Sequence, residues 1–172
     1  METTMSATRI DRGSTETTII YSEGGDLVFE RTFDATIEQV WKAFTDPALV
    51  PRWWGPHGTT TRVVEMDVRP GGQWRYVQSD ANGNEFGFRG IYHDAEAPHR
   101  LVSTFEFEGM PGHVALDTLT LEDVDGKTRY TSVSVFQSVA DRDGMVQSGM
   151  ESGARETLER LETLLEGLRT RA

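Results

Sequence analysis

Between Thr61 and Phe136 the sequence alternates apolar and polar residues in six runs separated by turn signals, a pattern that an antiparallel meander satisfies and a helical bundle does not. Strands are predicted at about 61–68, 73–79, 85–94, 100–107, 115–123 and 128–136. The joints read as turns: Arg69-Pro70-Gly71-Gly72 is tight, and Asn82-Gly83 and Asp125-Gly126 have hairpin chemistry. Glu108 to His113, with Gly109, Pro111 and Gly112, forms a longer loop and is expected to be a mobile lip.

The flanks add two further strands and the helices. Leu27, Phe29, Arg31 and Phe33 mark a first strand, and Thr17 to Tyr21 a short edge strand ahead of the breaker Gly24-Gly25. Residues 1–16 are polar and aperiodic, so a flexible lead-in is expected there, with one domain over 17–172. Thr36-Ile37-Glu38-Gln39 fits a capping box, and Ile37, Val40, Trp41 and Phe44 recur at helical spacing up to Pro47. A second short helix is expected over 47–54, stopped by Gly55-Pro56. The chain then ends in one predicted long helix over roughly 142–168, about 40 Å at 1.5 Å per residue. Its apolar stripe is Met150, Ala154, Leu158, Leu161, Leu165 and Leu168, with Glu151–Arg155 and Glu156–Arg160 pairs expected on the other side. Gly149 and Gly153 interrupt that stripe at a cost of about 1 kcal/mol each relative to alanine, which implies either a close neighbour or space left open.

Composition narrows the function classes. The 172 residues make one domain with a real core, and 37% apolar residues plus 17 glycines are ordinary for a globular chain. A net charge of −11, spread without an acidic tail or a basic patch, argues against nucleic acid and anionic membranes as partners. With no cysteine there is no disulfide, thiolate zinc site or Cys nucleophile. Without an apolar N-terminal segment or a membrane-length apolar run, a cytoplasmic protein is expected. His57, His93, His99 and His113 lie on separate elements, so no metal site and no cofactor are expected. Nucleophile-elbow, dinucleotide and phosphate-loop motifs are missing, which removes any recognisable catalytic signature.

Several short motifs recur in one order: Arg31-Thr32-Phe33-Asp34-Ala35, Val40-Trp41, Thr45-Asp46-Pro47, Arg52-Trp53-Trp54-Gly55-Pro56, Asp67-Val68-Arg69-Pro70-Gly71-Gly72, Gly90-Ile91-Tyr92, Pro98-His99-Arg100-Leu101 and Gly149-Met150. Over about 27–168 the chain thereby resembles the bacterial single-domain branch of the family named after the activator of Hsp90 ATPase, within the START-like, Bet v 1-like superfamily. The resemblance implies an α+β helix-grip fold: a curved antiparallel sheet, two short helices and a long C-terminal helix over a cavity. The eukaryotic co-chaperone of that name makes most of its Hsp90 contacts through a separate N-terminal domain. The 172 residues are not expected to hold one beside this domain, so the resemblance does not imply Hsp90 binding.

A cavity needs a lining. Trp74 and Tyr76 share one strand face, Phe86, Phe88 and Tyr92 another, and Phe105 and Phe107 a third. Phe44, Met150 and Ala154 face them from the helices, and of Trp53 and Trp54 one is expected in the core and one at the rim; Trp54 is taken as the rim residue. If Leu119 and Leu121 face inward so does Asp117, and if Tyr130 and Phe136 do so do Ser132 and Ser134; a slip of one residue reverses each assignment. These residues are the expected ligand contacts. Apolar alternation alone would equally describe a packed core. Non-enzymatic binding of a small hydrophobic or amphipathic molecule is the first expectation. The alternatives are a cavity enzyme of cyclase, aromatase or hydrolase type, and a protein-interaction module such as a chaperone partner or a homodimer through the open sheet edge.

Overall fold

The structure, a computed structural model, describes residues 8–171. Nine strands make one curved antiparallel sheet: β1 (Arg9–Asp11), β2 (Thr18–Glu23), β3 (Asp26–Phe33), β4 (Thr60–Met66), β5 (Gln73–Ser79), β6 (Glu85–Glu96), β7 (Arg100–Phe107), β8 (Val114–Val124) and β9 (Lys127–Val135). Their order is β1-β2-β3-β9-β8-β7-β6-β5-β4, so the meander ends beside the strand that precedes it. Helices α1 (Ile37–Thr45), α2 (Val139–Gln147) and α3 (Met150–Thr170) complete an α+β helix grip. All six meander strands lie within two residues of their predicted ends.

Local chemistry explains the joints. Thr36 caps α1 by accepting from Gln39 N (3.2 Å), while the Gln39 side chain accepts from Thr36 N (3.1 Å), which closes the predicted capping box. At the β8–β9 turn both Asp125 (φ 55°) and Gly126 (φ 82°) are left-handed, as a two-residue hairpin loop requires. The β6–β7 ladder is interrupted between Arg89 and Tyr92. A Cβ at Gly90 would lie 1.9 Å from Thr104 O and 2.5 Å from Trp74 Nε1. The bare backbone lets the Trp74 indole reach across β6 and donate to Thr104 O (3.2 Å), while Ile91 N donates to Thr104 Oγ1 (2.9 Å).

Four expectations change. Arg9–Asp11, assigned to the flexible lead-in, pairs with β2, and Ser14 and Thr15 bond back to β2 beside it; residues 1–7 lie outside the described residues. The second short helix is a single 3-10 turn, Val50–Arg52, because Pro51 withholds an amide that a longer helix from residue 47 would need. The expected long C-terminal helix is two helices, since Gly149 is left-handed (φ 79°) and α3 starts afresh at Met150. Nothing lies within 4 Å of a Cβ built on Gly149 or Gly153, so these glycines mark open space and not a tight helix contact. The 108–113 lip is tied down: Glu108 accepts twice from Arg75 (2.6 and 2.9 Å), Gly112 N donates to Glu106 (2.7 Å), and His113 meets Asp141 of α2 (3.0 Å).

The dry core sits under the C-terminal half of α3. Leu158, Leu161, Leu164 and Leu165 are buried with Val40 and Ala43 of α1 and Phe33 and Leu121 of the sheet. Each fully buried leucine contributes roughly 1.5–3 kcal/mol by removing its apolar surface from water. Arg31 enters this core from β3 with its side chain 3% exposed, donates to Thr18 Oγ1 (2.7 Å) and pairs with Glu162 of α3. The helix charges also work between elements. Arg160 donates to the carbonyls of Gly55 (2.8 Å), Pro56 (3.3 Å) and Trp54 (3.4 Å), and Glu156 accepts from His57 N (3.1 Å). Neither Glu151–Arg155 nor Glu156–Arg160 is among the ion pairs of the described residues.

Candidate functional site

Under α2 and the first turns of α3 the same layer is hollow. A cavity of about 440 Å³ lies between these helices, the Trp53–Pro56 loop and the inner face of the sheet. That volume is at the lower end of the roughly 300–1,000 Å³ typical of small-molecule pockets. Period-two alternation builds its walls, because every second residue of a strand points to the concave side.

Aromatic rings supply much of the wall. Trp54 packs edge-on against Tyr76 (5.2 Å) and Phe88 (5.0 Å), and Trp74 lies beside Tyr76 (4.7 Å) and Phe105 (6.1 Å). On the α1 side Phe44 meets Trp53 (4.8 Å) and stacks on Tyr130 (5.8 Å). The paired tryptophans differ in burial. Trp53 is 4% exposed with its indole donating to Ala43 O (2.9 Å), and Trp54 is half-buried in the cavity wall.

The floor is polar along one cross-strand row. Ser103, Asp117 and Ser134 stand directly opposite one another on β7, β8 and β9, with Tyr92 of β6 opposite Ser103. All four line the cavity, as does Ser132. Ser134 Oγ donates to Asp117 Oδ1 (2.6 Å), which is the only side-chain hydrogen bond to this carboxylate among the described residues. Enclosure by protein pushes the Asp117 carboxyl up to about 6, against the weaker opposing effect of the Ser134 bond. Burial also pushes the Tyr92 and Tyr130 hydroxyls up to about 12 and Tyr76 further still, so all three stay neutral donors. No Lys, Arg or His lines the cavity among the described residues.

Of the residues expected to contact a ligand, the structure brings Phe44, Trp54, Trp74, Tyr76, Phe88, Tyr92, Phe105, Asp117, Ser132, Ser134, Met150 and Ala154 to the cavity. Phe86 and Phe107 are not brought there. They have the inward strand parity, but their rows run past the helical roof, where they pack on each other (6.3 Å) and Phe107 on Phe88 (5.2 Å). Sequence reasoning missed Ser103, Phe29, Gln78 and Met145. Ser103 has the parity of Leu101 and Phe105, a signal that was available; Met145 faces the cavity because of the break at Gly149, which parity cannot reveal. His57 is on the surface beside Glu159 (3.4 Å), and Asp67 and Arg69 form an exposed pair (2.7 Å). No group of three His, Cys, Asp or Glu side chains suited to a metal converges among the described residues, and no helix is long and apolar enough to cross a membrane.

A curved sheet gripping a C-terminal helix around an apolar cavity defines the START-like, Bet v 1-like class of ligand-binding domain. The sequence profile described as Activator of Hsp90 ATPase homolog 1-like protein matches residues 34–166, and the chain belongs to that family. Among solved structures, a Rhodobacter sphaeroides protein is 30% identical with a TM-score of 0.81, the match covering 87% of this chain and 99% of that one. An Arthrobacter aurescens protein is 26% identical with a TM-score of 0.80, over 90% and 93% of the two chains. A Chromobacterium violaceum protein is 26% identical with a TM-score of 0.74, over 83% and 97%. Among curated proteins none matches the chain.

Proposed function

We propose that the chain is a cytoplasmic, non-enzymatic binder that holds one small hydrophobic or amphipathic molecule in the helix-grip cavity. The observation that carries this reading is the hollow of about 440 Å³ walled by aromatic rings, in a domain whose other end is packed solid. Atoms lining an empty apolar hollow forgo dispersion attraction, which costs stability, and a ligand would restore it. The relief at Gly153 and Ala154, where α3 carries almost no side chain, keeps that space open.

The test is titration with the neutral fluorescent probe N-phenyl-1-naphthylamine, followed by probe emission and by quenching of Trp54 and Trp74. Saturable one-to-one binding is expected, with at least tenfold loss in Ala154→Leu and an unchanged melting transition. Absence of saturable binding, or binding indifferent to Ala154→Leu, overturns the reading. A second reading, proton-transfer catalysis, is favoured by one observation. Desolvation pushes the Asp117 carboxyl up to about 6 inside the cavity, toward the range of a general base, with neutral tyrosines about it as donors.

A further inference from the structure

We infer that the occupant of this cavity is a protonated amine on an apolar, aromatic-sized body, held by Asp117 with the hydroxyls of Ser103 and Ser132 beside it. This rests on the binding reading above and adds the chemical class of the ligand. The argument begins with a charge that has no partner. Asp117 is half-buried on the cavity floor, receives one hydrogen bond, from Ser134, and has no cation within ion-pair distance among the described residues. An ionised carboxylate in such surroundings is costly unless paired, and here the space for a pair is the cavity itself.

The surroundings suit a cation in two further ways. Ser103 lies directly opposite Asp117 on β7, and Ser132 is two residues from Ser134 on the same face of β9. A carboxylate with neighbouring hydroxyl oxygens matches the three N–H donors of a primary ammonium. Phe105 is a diagonal neighbour of Asp117 on β7, Phe136 follows the last residue of β9 on the cavity wall, and Tyr92 continues the row of Asp117. Ring faces near the charge add cation–π attraction, which strengthens when the cation is desolvated. An anionic ligand would meet the carboxylate with no basic residue to offset it. A wholly apolar ligand would leave Asp117 unpaired.

Binding then depends on pH through one group. The other titratable residues on the wall are Tyr76 from β5, Tyr92 from β6 and Tyr130 from β9, which remain neutral across the pH range of the test; β3, β7, α2 and α3 bring none. Asp117 must be ionised to hold the ammonium, so affinity for an amine falls as pH drops through about 6.

The experiment uses three probes with one body, 4-phenylbutylamine, 4-phenylbutan-1-ol and 4-phenylbutyrate, titrated calorimetrically into the full chain at about pH 7.5 and about pH 5, on either side of the Asp117 titration. At the higher pH the amine is expected to bind at least tenfold more tightly than the alcohol, and the carboxylate weakest. At the lower pH the amine's advantage shrinks by roughly tenfold while the alcohol is unaffected. In Asp117→Asn the advantage disappears at both pH values and alcohol binding persists; the pH comparison in the unaltered protein makes the same test without a variant. If the alcohol or the carboxylate binds as tightly as the amine, the inference fails and the cavity reading stands. If the amine's advantage survives in Asp117→Asn, general attraction to the acidic chain explains it and the inference fails. If none of the three binds, cavity binding itself fails with it.

Discussion

The two ends of α3 cover the same sheet and treat it in opposite ways. At the C-terminal end Leu161 and Leu165 are 0% and 2% exposed among α1 and sheet residues, and the buried cation, Arg31, has Thr18 and Glu162 as resident partners. At the N-terminal end Met150, Gly153 and Ala154 roof a cavity, and the half-buried anion, Asp117, has only a serine. One end is built for stability. At the other, apolar surface stays uncovered and a charge stays unpaired, costs that a folded chain carries at sites reserved for a ligand. A charge held away from bulk water therefore means different things at the two ends, and the resident partner decides which.

Mutations that ask each end to behave like the other sharpen this contrast. Leu161→Ala should lose about 3–4 kcal/mol in urea denaturation, whereas Met150→Ala, already beside empty space, should lose under about 1 kcal/mol. Equal losses would mean that the cavity is collapsed in solution. Glu162→Ala leaves Arg31 buried without its carboxylate and should cost about 2 kcal/mol, reduced from the figure for a fully buried pair because Glu162 is 40% exposed. Asp117→Asn should change stability in the other direction. The folded carboxyl titrates near 6 and an unfolded one near 3.8, so the folded protein holds an extra proton between these values and stability from this group rises as pH falls through that window. At about pH 8, where the cost of the ionised group is fully present, the variant should be more stable than the parent by about 1–2 kcal/mol, with the difference gone by about pH 4. Melting curves at the two pH values check it. Gly153→Ala is the smallest change: with open space at its Cβ near the start of α3, it should add up to about 0.5–1 kcal/mol.

Much of the architecture is legible from residue order because it depends on local rules. Period two placed the six meander strands, Thr36 and Gln39 placed the start of α1, and Asp125-Gly126 placed a turn that requires two left-handed residues. The family likeness, carried by short motifs from Arg31 to Met150, anticipated the helix grip that the match over 34–166 bears out. The misjudged elements depend on more distant partners. Arg9–Asp11 is a strand because β2 offers it an edge, and Arg160 turns from its own helix to the carbonyls of residues 54–56 because α3 passes that loop.

The candidate site divides in the same way. Alternation placed Asp117, Ser132 and Ser134 on one face of their strands, since parity is a property of neighbours along the chain. Whether that face is filled or hollow, where its rows pass the end of the roof at Phe86 and Phe107, and that Ser103, Asp117 and Ser134 form one line are matters of register and helix placement. Register is a relation between strands, and the roof is set by a break at Gly149 whose effect depends on what lies beneath it. Hence the residues announce a sheet, a helix and an acidic, cysteine-free domain, while packing alone makes one end of that sheet a core and the other a pocket with an unpaired carboxylate on its floor.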